Sequence, residues 1–448
     1  MIKPELLLLS PKDPGRARKL AARMVELGVF FPFEGAYQLP TRLPGGLRGF
    51  KLIVAPDDRP LPSAPLRRFE RNGGRVIRLA ASDWTNGSFI ERIPVMGGLR
   101  LQHPGMFAQM EAVPDELVFR ACLHWSMVYG DLAWNDVLRY NIECLLESYE
   151  LTREPSILKR AGFVVRKALA GRPPTPGSCD PASCAYPLLR YFERAGNARI
   201  VSDCRSFADE YLARAPRYLG VLSNFVRPQD AGILRSEIAF QACAPLARLA
   251  RVSGESRYRR IAIEQLFLLD RYLRDARTGL WRLGRGPAGQ TAGLWGRGCA
   301  FSLRGVLDTL TELPADDPAQ TRLRKIVQRM VRALAQLQTK EGFWCQLLGE
   351  NPGRPECSAT AWTTAAVAKA IRLGVVGREF LPVARKGWLA TKRRIWDGLP
   401  VAITVATTAS ADLEYYRHRP VSEPNFGHFP LLAAIEMLRL KRTAGRKR

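Results

Sequence analysis

None of the nine cysteines in this 448-residue chain, at positions 122, 144, 179, 184, 204, 243, 299, 345 and 357, stands in a C-x-x-C pair. That excludes the paired spacing a zinc or dithiol redox site needs, and the thiols read as reduced, mostly buried small hydrophobes. No segment approaches 18 uninterrupted apolar residues, the length a spanning helix requires. The first residues, MIKPELLLLSPKDPG, hold one lysine early and an apolar run of only four leucines, too short for the core of a signal peptide. A cytoplasmic protein with no membrane association is expected. No G-x-G-x-x-G or Walker loop follows the first strand signal, and no helix-turn-helix, finger or RNP-like motif occurs.

Acidic residues are scarce beside basic ones, 42 against 68, for a formal charge of +26. Such a charge suits a nucleic acid, an acidic sugar, or arginines spread over solvated helix faces. Apart from the tail RLKRTAGRKR the basic residues are distributed along the chain, which argues against a nucleic-acid stripe, and no nucleic-acid partner is expected. The length allows a large core and more than one domain.

Two patterns divide the chain. Residues 1–104 alternate strand and helix signals: ELLLLS, a helix around Gly15 to Leu27, FKLIVAP at 50–56, a short helix through LRRFERNGG, and RVIRLA at 75–80. Continuous apolar strands separated by helices predict a small parallel sheet. Residues 105–448 change to helical periodicity. Leu138, Ile142, Leu145 and Tyr149 fall at i, i+4, i+7 and i+11, and Leu323, Val327, Met330, Leu334 and Leu337 repeat that stripe. Twelve such segments begin near residues 115, 133, 155, 182, 198, 235, 256, 298, 319, 358, 381 and 428. The junctions YELTREPSIL, FERAGNARIV, ARVSGESRYR and TELPADDPAQ carry the residues of tight helix-to-helix turns. Long Gly- and Pro-rich connections at 171–181, 276–296, 341–356 and 399–427 recur after every second helix. The pattern predicts a mainly α protein, an (α/α)6 toroid of six helical hairpins preceded by a small α/β domain, with its binding loops gathered at one end. Strands are not expected within the helical region.

Four stretches in order, DPASCAYPLLRYFERAGNARI, GLWGRGCAFSLRGVLDTLTELPADDP, GFWCQLL with ECSATAWTTAAVAKAIRLG, and DLEYYRHRPVSEPNFGHFPLLAAIEM, resemble the unsaturated glucuronyl and rhamnogalacturonyl hydrolases, glycoside hydrolase families 88 and 105. The resemblance spans roughly residues 115 to 442. It implies hydrolysis of acidic oligosaccharides ending in a 4,5-unsaturated uronic acid. An acid protonates the vinyl ether at C4, water adds at C5, and the hemiketal opens, with no metal or organic cofactor. Residues 1–104 loosely resemble the class I glutamine-amidotransferase fold, but no cysteine precedes position 122 to serve as nucleophile, so they are expected to be accessory and non-catalytic.

Carried over by residue, the resemblance puts one acid at Asp180 and the proton donor at Glu237, where the family uses aspartate. Asp180 equally suits a helix N-cap, and Glu237 a helix-end ion pair. Arg297, between Gly296 and Gly298, matches an arginine near the substrate. Trp295, Trp344, Tyr415 and Tyr416 are candidate sugar platforms. Arg417, His418, Arg419 and His428 would make the 411–428 loop a cationic lid over a uronate. Departures fall at the same places: RLGRG and Pro181 stand where the family has histidines, and Cys299 and Phe301 where it has a small polar residue and a tryptophan. They leave a second reading, a carbohydrate-binding or regulatory toroid in which catalysis has lapsed.

Overall fold

The computed structural model describes residues 6–8, 47, 52–57, 61–80, 114–129, 135–170, 180–224, 232–350, 353–396, 399–400, 403–404, 407, 409–418, 421–422 and 428–445. In the N-terminal part the apolar runs form β1 (Leu6–Leu8), β2 (Leu52–Pro56) and β3 (Arg75–Leu79), with α1 (Ser63–Arg71) between the last two. The strands pair in parallel in the order β1-β2-β3, with Leu6 opposite Leu52 and Leu52 opposite Arg75. Leu66 and Phe69 of α1 bury Ile53 and Ala55 of β2 in a small core. The helix expected around Gly15 to Leu27 and the boundary at residue 104 lie outside the described residues.

The helical region follows the periodicity closely. Its elements are α2 (Asp115–Tyr129), α3 (Asn135–Thr152), α4 (Pro155–Ala170), α5 (Asp180–Ala195), α6 (Ala198–Arg214) and α7 (Ala244–Ser253), the last entered through a π turn at Ala239–Cys243. Then come α8 (Ser256–Leu273), α9 (Gly296–Glu312), α10 (Ala319–Gln336), α11 (Cys357–Arg372), α12 (Leu381–Lys392), the short α13 (Leu413–Arg417) and α14 (His428–Gly445). Helices α3, α5, α7, α9, α11 and α14 each touch the next, and α14 touches α3, so six inner helices close a ring. Outside them α4, α6, α8, α10, α12 and α2 pack on their sequence neighbours, α2 on α14. This is the (α/α)6 toroid.

Turn chemistry explains the hairpins. Gly196 and Gly254 end α5 and α7 at φ 73° and 79°, a left-handed conformation that glycine adopts without strain. Asn197 then caps α6, its side chain accepting from Arg199 N at 3.1 Å. The turn after α3 places Arg153 at φ 63° without glycine's help.

The long connections lie at the other end, where the inner helices start. Contrary to expectation they contain strands, each two or three residues long: β4 (Arg217–Tyr218) with β5 (Val221–Leu222), β6 (Leu234–Arg235) with β7 (Gly284–Gly286) and β8 (Gly289–Gln290), β9 (Ile395–Trp396) with β10 (Leu399–Pro400), and β11 (Ile403–Thr404) with β12 (Val421–Ser422). Backbone in buried connections must satisfy its own polar groups, and antiparallel pairing between loops does so. The β6–β7 pair ties the approach to α7 to the approach to α9.

Candidate active site

The connection into α7 carries the sharpest feature of this end. From Leu234 to Phe240 every residue is buried except Glu237, which is half-buried. Its backbone carbonyl accepts from Phe240 N at 2.9 Å and Gln241 N at 2.8 Å, winding the chain into the π turn. Such turns accompany functional sites more often than ordinary helix does. Gly305 of α9 makes room for the turn, because a Cβ there would stand 2.3 Å from Ala239 C. From α3, Arg139 reaches the same turn. Its Nη2 donates to Phe240 O at 2.9 Å and its guanidinium lies 3.5 Å from the Phe240 ring centre. Arg139 is 1% exposed, and its Nε and Nη1 have no hydrogen-bond partner among the described residues.

A second polar group is built between α9 and α11. Trp295 stands just before α9 and donates from Nε1 to Gln346 Oε1 at 3.3 Å, while the Arg297 guanidinium lies 4.8 Å from its ring centre. Arg297 donates to Ser358 Oγ at 3.2 Å and stands 4.0 Å from Glu356. Ser358 donates to Glu356, which caps α11 by accepting from Ala359 N at 2.6 Å. Gly296 and Gly298 serve this packing: a Cβ on Gly296 would meet Cys345 O at 2.2 Å, and one on Gly298 the Trp295 ring at 2.6 Å.

Below this end an aromatic tier crosses the barrel. Tyr140, Phe240, Phe301, Trp362 and Phe429 come from five different inner-helix segments, and Phe301 and Trp362 approach to 3.9 Å between ring centres. Deeper still the axis turns ionic. Arg304 pairs with Glu143 and Asp308, and Lys369 with Asp308, all buried. Burial alone would raise the Asp308 carboxyl, but Arg304 and Lys369 hold it below its ordinary value.

A family model described as Glycosyl Hydrolase Family 88 matches residues 129–441. The chain belongs to glycosyl hydrolase family 88. The fold of this family 88 chain is similar to that of a possible member of family GH105 from Salmonella enterica subsp. enterica serovar Paratyphi A. That structure is 20% identical, the match covering 76% of this chain and 97% of the other at a TM-score of 0.67. It is also similar to an unsaturated glucuronyl hydrolase specific for heparin, 11% identical over 75% of this chain and 98% of that one, with a TM-score of 0.58. Among curated proteins, Protein Atu3128 of Agrobacterium fabrum is 32% identical over 96 residues, 20% of this chain and 40% of that relative's length.

In this family 88 chain the residues singled out from sequence stand mostly at the starts of inner helices. Asp180 opens α5, Glu237 precedes the π turn, Trp295 and Arg297 begin α9, and His428 opens α14. The Asp180 side chain and Arg419 lie outside what is described. Four expectations are corrected. Trp295, a candidate sugar platform, is only 2% exposed and packs in the core. Trp344 is fully buried, its Nε1 donating to Leu334 O at 2.8 Å, so its ring fills core instead of meeting sugar. Tyr416 is fully buried too, accepting from Ser410 N at 3.0 Å, and pins its loop down. His428 is no lid residue: it stacks on Tyr140 at 4.9 Å, and burial pushes its pKa down to about 3. Tyr415 remains half-buried. Arg417 and His418 are exposed but tied to Glu414, and Arg417 also to Glu350. The departures become core: Cys299 donates to Trp281 O at 3.4 Å and its thiol is pushed up to about 12 by burial, while Phe301 joins the aromatic tier.

Sequence reasoning missed Arg139, Gln346, Glu356 and Ser358. Glu356 and Ser358 flank Cys357 at the head of a predicted helix, the signal of a cap; Arg139 showed none. Among the described residues no group of three or more His, Cys, Asp or Glu is placed to hold a metal ion, and no helix is long and apolar enough to cross a membrane.

Proposed function

We propose that this family 88 protein hydrolyses oligosaccharides ending in a 4,5-unsaturated uronic acid. The observation that carries the reading is Glu237, the half-buried carboxylate of an otherwise buried run, heading a π turn at the loop-rich end of the toroid. An acid catalyst at this position must carry the proton it delivers. In this proposal Glu237 protonates the vinyl ether at C4, Asp180 manages the water that adds at C5, and Arg139 supplies the cation for the uronate carboxylate. Trp295, buried and held by Arg297 and Gln346, packs the wall behind this site. The likeness in fold to an unsaturated glucuronyl hydrolase specific for heparin supports the substrate class.

Glu237→Gln keeps the shape and removes the acid. Turnover of an unsaturated uronyl disaccharide, followed by loss of its enol-ether absorbance, should fall by about 10² or more, with binding retained. If Glu237→Gln turns over at the wild-type rate, the acid is elsewhere. If the wild type binds acidic oligosaccharides but consumes none of several unsaturated uronides, the protein is a binding toroid.

A further inference from the structure

The end of the toroid away from the loops holds a cavity of about 450 Å³, where the last turns of the six inner helices converge. Seven arginines and Lys369 face it, against the three carboxylates Glu147, Glu150 and Glu312. Two more carboxylates support it from behind: Glu193 pairs with Arg248 and Arg251, and Glu436 with Arg372 and Arg439. Lys369 belongs to the deeper group, in which it and Arg304 balance Glu143 and Asp308. What remains is seven guanidinium groups for five carboxylates, an excess of two positive charges.

Sharing shows the same imbalance. Glu150 is divided among Arg190, Arg194 and Arg439, Glu147 between Arg190 and Arg439, and Glu312 between Arg248 and Arg251. Arg153 lines the cavity with its guanidinium 5.7 Å from the Tyr149 ring centre and no carboxylate partner among the described residues. Arg190 is only 8% exposed and so presents its fork from a fixed position. The negative ends of six parallel helices make this crowd of cations tolerable when the cavity holds only water. Planar guanidinium forks bind oxyanions through paired, charge-assisted hydrogen bonds, and an excess of two charges matches one dianion.

We propose that this cavity is a binding site for a small tetrahedral dianion, either free phosphate or sulfate or the phosphate monoester of a molecule no larger than a monosaccharide. It stands at the opposite end of the barrel from Glu237, so occupancy is compatible with a substrate at the mouth. Free phosphate, free sulfate and phosphate monoesters share two negative charges on a tetrahedral oxyanion, whereas a sulfate ester carries only one.

The test is calorimetric titration of the full chain with inorganic phosphate and, separately, inorganic sulfate, at ionic strength held constant with sodium chloride. Thermal unfolding under the same conditions gives a second readout. Saturable binding and a rise in Tm beyond that in chloride are expected. Arg194→Gln combined with Arg153→Asn, both at exposed positions and the second tolerant of the positive φ, should weaken binding by about tenfold or more. Glu237→Gln should leave it unchanged. Phosphate affinity that rises with pH through the second ionisation, beside a pH-independent sulfate affinity, identifies the dianion as the bound form; glucose 6-phosphate, a dianion, should then bind about tenfold or more tighter than the monoanion glucose 6-sulfate, and equal affinity for the two overturns the dianion assignment. No response beyond chloride, or undiminished affinity in the double variant, overturns the proposal and leaves the arginines as caps for helix ends.

Discussion

At Arg139 the fold keeps a guanidinium buried on the Phe240 ring with Nε and Nη1 lacking acceptors among the described residues, an arrangement that costs stability. Arg139→Met should therefore make the protein more resistant to urea, by about 1 kcal/mol, while raising KM for an unsaturated uronyl disaccharide by about tenfold or more. An unchanged KM removes Arg139 from the site. His428 presents the opposite case, a neutral base kept dry between Tyr140 and Phe429. Its folded pKa of about 3 lies below the ordinary 6.5, so its contribution is complete above pH 6.5 and is lost as pH falls toward 3. The unfolded chain takes up a proton the fold refuses, at about 1.4 kcal/mol per pH unit. Urea unfolding at pH 7.5 and 5.5 checks this: the wild type should lose about 1 kcal/mol more than His428→Gln between the two. Equal losses in both would mean the imidazole is protonated in place.

Among the elements, the π turn and α9 depend on each other through Gly305, whose missing side chain admits the Ala239 backbone. Gly305→Val should cost about 3 kcal/mol, since backbone cannot step aside as a flexible side chain does. Activity should fall with it as the turn that carries Glu237 shifts. A loss of stability with full activity would separate the turn from catalysis. The start of each barrel helix was legible in the sequence: helices begin at 115, 135, 155, 180, 198, 256, 296, 319, 357, 381 and 428, all within two residues of the periodic segments, and the π turn opens four past its segment, whereas the short loop strands and α13 were not. Side-chain roles were less legible, for a physical reason. Arg139, Glu143, Glu147 and Glu150 form a stripe at i, i+4, i+8 and i+11 on α3, and a charged stripe normally faces water. In a toroid the second face of an inner helix looks toward the axis, so the charges are buried. Trp344 and Tyr416 likewise have the composition of sugar platforms, and only burial shows that they anchor their loops.

Across the whole molecule, the apolar seam between inner and outer helices supplies the core, and the ionic axis makes the toroid sensitive to acid. Burial would raise Glu147, Glu312 and Glu436, yet their arginine partners hold all three below the ordinary 4.5. Their contribution is thus present above about pH 4.5 and is lost as pH falls further. Arg304→Met leaves Glu143 and Asp308 to share Lys369 and should cost about 3–5 kcal/mol, read by urea unfolding at pH 7; a loss under 1 kcal/mol would show the buried quartet to be energetically idle. The closure of the ring by α14 against α3 also bears on how the chain is made. Cys144 donates to His428 O across 284 residues of sequence. During synthesis the flank of α3 that α14 will cover therefore stays bare while the following 284 residues are made, a long exposure that invites chaperone capture.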